Sequence, residues 1–169
     1  MWMTPHTMVG VTLAVSVPDP YLAGSLAFVS HYVLDFLPHW NQEPTFYGKK
    51  AIALYFDFFL ALGLGLSVAF QFPLFSSQFW LVIICAAFAN LPDAIRIPHL
   101  ILYRNLILSS KRKTPYYYLE RFHDFVDQDI QHSRAELVWK FAQGKVWLGI
   151  SMQILVVIVS SYFLWRFFQ

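Results

Sequence analysis

Apolar runs, broken by proline, glycine and isolated charges, divide this chain into helices. Residues 7–17, TMVGVTLAVSV, form the first run. As a helix it covers only about 16 Å, short of a bilayer core of about 30 Å. The tripeptide PDP at 18–20 forces a turn, because proline ends one helix and starts the next. Residues 20–37 give a longer apolar helix, which Pro38 ends. Together these runs predict a helical hairpin whose first arm is only partly inserted. Residues 51–72 are long enough to span a membrane, with one acid, Asp57, inside. The uncharged turn PLFSSQ follows, and residues 79–92 return across. That helix can continue through 93–108, although Pro98 interrupts it. Residues 109–121 are basic and then aromatic, as at a membrane surface. Residues 116–137 predict an interfacial or soluble helix, and 146–165 the last span, flanked by Lys145 and Arg166. The pattern predicts an all-α, multipass membrane helical bundle, a single domain over 1–169 with no internal repeat.

Composition agrees. The chain is 57% hydrophobic, 19% aromatic and 13% charged, and its mean hydropathy is +0.49. Soluble domains carry roughly 25% charged residues. A net charge of +2 points to no nucleic-acid partner. Cys85 is the single cysteine, so an intrachain disulfide is excluded. The N-terminus lacks a basic n-region and a small-residue cleavage site, and it reads as mature protein.

Basic residues set the expected orientation. Lys49 and Lys50 precede the 51–72 run; Arg96, Arg104, Lys111, Arg112, Lys113 and Arg121 follow the 79–92 run; Arg134, Lys140 and Lys145 precede the last. The 72–78 turn has no charge. The positive-inside rule places 38–50 and 93–145 in the cytoplasm of an inner-membrane protein, with the C-terminus opposite.

Titratable residues inside apolar runs carry the candidate chemistry, since such groups are costly in a bilayer. His6, His31, Asp35, His39, Asp93, His99, His123 and Asp127 all fall at or near the cytoplasmic end of their segments. His31–Asp35 and His123–Asp127 are H-x-x-x-D pairs, which share one helix face. Imidazole with carboxylate at this spacing can grip a divalent cation. Such donors suit zinc, manganese or iron better than calcium or magnesium. His39 follows Pro38, a break that can aim it back at the same site. The expected ligands are His6, His31, Asp35, His39, Asp93, His123 and Asp127, holding one to three ions. Each has a plainer alternative: an interfacial hydrogen bond for a single His, a buried ion pair for His31–Asp35, solvation for the 120–136 acids. His99 reads equally as a ligand or an interfacial residue, and His132 as surface. Asp57 is a further ligand, an acceptor that orients a ligating His, or a partner for a basic residue, the second being preferred. Asp57 or Asp124 is the candidate general base. Gln153 reads as an interhelical hydrogen-bonding residue or as packing.

These residues carry a resemblance. The stretch PHTMVGVTLAVSVPDPYLAGSLAFVSHYVLDFLPHWN resembles the opening of small bacterial membrane-bound metal-dependent hydrolases. Their N-terminal His and glycine match His6 and Gly10. Their S-H-x-x-L-D-x-x-P-H-W block matches Ser30 to Trp40, and a later L-P-D matches Leu91 to Asp93. Phe122–His123, and Gly149 with Gln153, resemble further elements of the family. More distantly, the H-x-x-x-D pairs are similar to those of the helical zinc-dependent phospholipase C and single-strand nuclease group, at the level of the site alone.

The resemblance implies a membrane-embedded hydrolase of a lipid ester or phosphoester. Membrane lipid is the expected partner, with an anionic headgroup held by Arg96 or the 111–113 basic cluster if these are more than topology signals. The competing expectation is a non-enzymatic assembly or adaptor protein with a structural metal or polar cluster. A phospho-histidine phosphatase is disfavoured, because HSR at 132–134 has no H-x-x-x-D after it. Serine and cysteine hydrolase patterns are absent. A transporter of this size would need to oligomerise, and the oligomeric state stays open.

Overall fold

The structure, a computed structural model, describes residues 2–35, 37, 49–107 and 146–169. Its described residues form five α-helices and no strand: α1 Met3–Ser16, α2 Pro20–Asp35, α3 Lys49–Ala69, α4 Ser77–Ile107 and α5 Val146–Phe167. The expected 116–137 helix lies outside them.

Local chemistry explains the boundaries. Pro20 opens α2, where its missing N–H is no loss. Asp19 caps that start, its Oδ1 accepting the Leu22 N–H at 2.7 Å. Ser76 does the same for α4, its hydroxyl oxygen accepting the Phe79 N–H at 3.1 Å. Between α3 and α4 the chain turns at residues 70–76, where Phe75 takes a positive φ of 61°. Two expectations change. The first helix begins at Met3 rather than at residue 7, because Pro5 is tolerated in a first turn. In α4 the helix continues through Pro98 to Ile107.

Among the described residues, three helices are long and apolar enough to cross a membrane, over Ile52–Ala69, Ser77–Ile95 and Trp147–Phe167. Their outer faces are apolar: Phe56, Phe59, Ile158 and Trp147 are all exposed. Such a surface is unstable in water but is ordinary against lipid tails.

The short first arm has an unexpected place. Helix α1 packs against each of the other four helices, and α4 also packs against α2 and α3. At 14 residues, α1 is about 21 Å long. It is the axis of the bundle, enclosed by its neighbours. Small residues allow this closeness, since lipid-embedded helices associate through close packing. A Cβ on Gly10 would lie 2.7 Å from the Cys85 carbonyl oxygen and 2.9 Å from the Ala89 Cβ. Helix α5 turns Gly149, Gln153, Ser160 and Leu164 inward.

The helices share two ends. The Gln78 side chain donates to the Ala14 carbonyl at 2.8 Å, and the Phe72 and Phe168 rings lie 5.7 Å apart. The 17–19 turn, the 70–76 turn and the C-terminus therefore lie together. His6, on the first turns of α1, and His31 and Asp35, on the last turns of α2, lie at the opposite end.

Candidate metal centre

His31 and Asp35 sit one helical turn apart at the end of α2, and both are buried. His31 Nδ1 lies 2.9 Å from the Ala89 carbonyl oxygen of α4. A carbonyl only accepts, so Nδ1 carries the proton. Nε2 then faces inward, 3.1 Å from Asp35 Oδ2 and 3.9 Å from Asp93 Oδ1. A ring nitrogen pinned to a main-chain carbonyl fixes the orientation of the imidazole, as it does for metal-ligating histidines.

His6 enters from α1. Its ring stacks on His31 with centroids 4.2 Å apart, and its Nε2 lies 3.4 Å from Asp35 Oδ1. That distance is too long for a strong hydrogen bond. His6 is fully buried, yet neither of its ring nitrogens has a hydrogen-bond partner among the described residues. An unsatisfied buried polar atom costs about 1–3 kcal/mol. Burial pushes the His6 pKa down to about 4, against the pull of Asp35 and with the neighbouring His31 adding to the fall. The imidazole is thus neutral at pH 7, as a ligand must be.

Asp93 completes the group from α4. One ligand atom each from His6, His31 and Asp93 lies within 4.8 Å of the others. Tetrahedral zinc with bonds of about 2.0–2.1 Å places its ligands about 3.4 Å apart. Within that group His31 Nε2 and Asp93 Oδ1 lie 3.9 Å apart, and Asp35 stands beside it, 3.4 Å from His6 and 3.1 Å from His31 through its two oxygens. The donors come from three helices, so α1, α2 and α4 must all be docked for the group to exist. Three of the four are enclosed, whereas the Asp93 side chain is 29% exposed.

Asp57 meets the start of α1. Its Oδ2 accepts the Met3 N–H at 2.6 Å. Its Oδ1 accepts the Thr4 N–H at 3.2 Å and the Thr4 hydroxyl at 2.6 Å. Both oxygens thus cap the start of α1, two residues before His6. Trp2, at the cap position of α1, supplies no side-chain cap itself.

Of the expected ligands, His6, His31, Asp35 and Asp93 come together. His39, His123 and Asp127 lie outside the described residues, as do Asp124, His132 and the 111–113 cluster. His99 and Arg96 lie on α4 by backbone, their side chains outside the described set. Three supporting groups escaped the sequence reading. The Ala89 carbonyl has no side-chain signal. Thr4 had one, a hydroxyl just before Pro5. Asn90 had one too, an amide in an apolar run; its Nδ2 donates to the Thr7 hydroxyl oxygen and to the Ala86 carbonyl, each at 2.8 Å. It fastens α1 beside His6.

No protein-family model, curated protein or solved structure matches this chain.

Proposed function

We propose that this chain is a membrane-embedded, metal-dependent hydrolase of a lipid ester or phosphoester, working at the cytoplasmic face. One observation carries the reading: the buried His6 imidazole, without a hydrogen-bond partner among the described residues, is aimed at the same carboxylate as His31. A plain His31–Asp35 ion pair leaves His6 unexplained. A divalent cation among His6, His31, Asp35 and Asp93 gives its Nε2 a partner. The nitrogen and oxygen donors suit zinc, with manganese or iron as substitutes.

The chemistry such an ion supplies is polarisation of the ester and activation of water. The residues would do the rest. His31, held by Ala89, and His6, held by α1, fix two donor directions. Asp35 balances charge from within. Asp93, the exposed member, borders the side from which a substrate would approach. Depth supports a lipid substrate: Asp93 lies two residues from the end of the Ser77–Ile95 span, about 3 Å along the helix axis. The end of an apolar stretch fits the headgroup level, where the ester and phosphoester bonds of lipids lie. The cytoplasmic assignment rests on the loop charges.

A second reading has its own support. Three of the four donors are enclosed, as in structural sites whose positions are all filled by protein. The chain would then be an assembly or adaptor protein stapled by its ion. Hydrolysis of a panel of lipid esters and phosphodiesters, presented in mixed micelles with zinc or manganese, separates the two. The hydrolase reading expects turnover by wild type and loss of at least about a hundredfold in His31→Ala, in line with loss of a Lewis acid worth several kcal/mol. Wild type that binds metal yet turns over none of the panel would favour the structural reading.

A further inference from the structure

Resting on the metal-centre reading above, we infer that Asp57 is the positioning residue of that centre. From α3 it sets where His6 stands, by holding the first turn of α1.

The first N–H groups of a helix have no partner within it. At the start of α1 they are enclosed: Thr4 is buried, as is Asp57 itself. In a lipid setting, an orphaned backbone donor is especially costly. Asp57 takes the Met3 and Thr4 N–H groups and the Thr4 hydroxyl. A carboxylate at a helix N-terminus also meets the positive end of the helix dipole. The clamp therefore fixes the height of α1 and its rotation together, because the Thr4 hydroxyl points in one direction only.

His6 follows Thr4 by two residues. On an α-helix that is a rise of about 3 Å and a rotation of about 200°. With Thr4 held against α3, His6 is turned to the opposite side, toward α2 and α4, where His31, Asp35 and Asp93 wait. Farther along, α1 meets α4 through the Asn90 side-chain bond to the Thr7 hydroxyl and through small residues, Gly10 against Ala89 and Cys85. A more distant side-chain tether, from Gln78 to the Ala14 carbonyl, holds the far end of the helix. It lies eight residues from His6, about 12 Å away.

The two tethers provide the test. Both hold α1, so a merely structural role makes them equivalent; positioning makes them different. Zinc affinity would be measured by competition with a chromogenic chelator on the full chain in detergent micelles, alongside thermal melting, for wild type, Asp57→Ala, Asp57→Asn and Gln78→Leu. Asp57→Ala is expected to weaken zinc at least about tenfold, the scale seen when groups that orient a ligand are removed. Asp57→Asn keeps one carbonyl acceptor and should recover part of the loss. Gln78→Leu should melt lower with zinc affinity within about twofold of wild type. Should Asp57→Ala fail to fold, Asp57→Asn against Gln78→Leu decides. Zinc affinity unchanged in both Asp57 variants, or falling in step with melting temperature across all variants, would overturn the inference. Wild type that binds no zinc would overturn the metal-centre reading beneath it, a separate result.

Discussion

His6 occupies a costly kind of position: a fully buried imidazole with no hydrogen bond to either nitrogen among the described residues. Its neighbours show what the site asks of each residue. His31 is oriented by a main-chain carbonyl, so its ring cannot flip without losing that bond. Asp35 presents one oxygen to each imidazole. Burial works against the ionised form of Asp35, but the charge of the N-terminal amino group, with the His31 and His6 contacts, holds its carboxyl well below the usual range. It is therefore charged at neutral pH and available to a cation. Replacing Asp35 by Asn keeps the shape and removes that charge. Zinc affinity, measured by chelator competition, should fall by more than the about 10–100-fold that loss of an outer partner brings. An Asn variant with wild-type affinity would remove Asp35 from the site. These residues were legible in the sequence for a physical reason. A charge or imidazole in an apolar run stands out, and the four-residue spacing of His31 and Asp35 already places them on one face. Their supports were less visible. The Ala89 carbonyl belongs to the backbone, and the partner of Asp57 lies more than fifty residues away, on a helix end that only the fold brings near.

At the scale of elements, α1 is the piece on which the rest depends. Its length, read from the sequence, predicted a partly inserted arm, and the length was close to right. Its place was not legible, because an apolar run that faces protein and one that faces lipid have the same composition. Gly10 marks the difference. It lies one turn after His6, on the face that meets α4, and no space for a Cβ exists there. Gly10→Ala must push α1 from α4, and overpacking of this kind typically costs about 1–3 kcal/mol. The expected result is a lower melting temperature together with weaker zinc binding, since the same contact carries His6 toward Asp93. Full zinc affinity in a stably folded Gly10→Ala protein would show that α1 and α4 can separate without moving the donors. In α4, Pro98 was expected to interrupt the helix but does not, and Pro92 lies within it as well. Pro92 lacks an N–H, so the ladder bond to the Phe88 carbonyl is missing. The next carbonyl along, that of Ala89, is the one that holds His31.

For the whole molecule, the fold class followed from hydropathy alone: an all-helical bundle with three helices able to cross a membrane. The common end of His6, His31, Asp35 and Asp93 was also readable, from the alternation of charged and uncharged loops. What required coordinates was the convergence, which joins α1, α2 and α4 in one group. A cation there would tie the bundle axis to its neighbours, so ion binding and stability should rise together: at a free ion concentration of 100 times Kd the gain is about 2.7 kcal/mol. The most direct test is the metal content of the purified full chain, wild type against His6→Leu, prepared without chelator. Wild type is expected to carry at least one zinc, manganese or iron per chain, and His6→Leu to lose it and melt at a lower temperature. Without an ion, exchanging an unsatisfied buried imidazole for leucine should be neutral or stabilising. A metal-free wild type, or a His6→Leu protein that keeps its metal or gains stability, would contradict the metal centre.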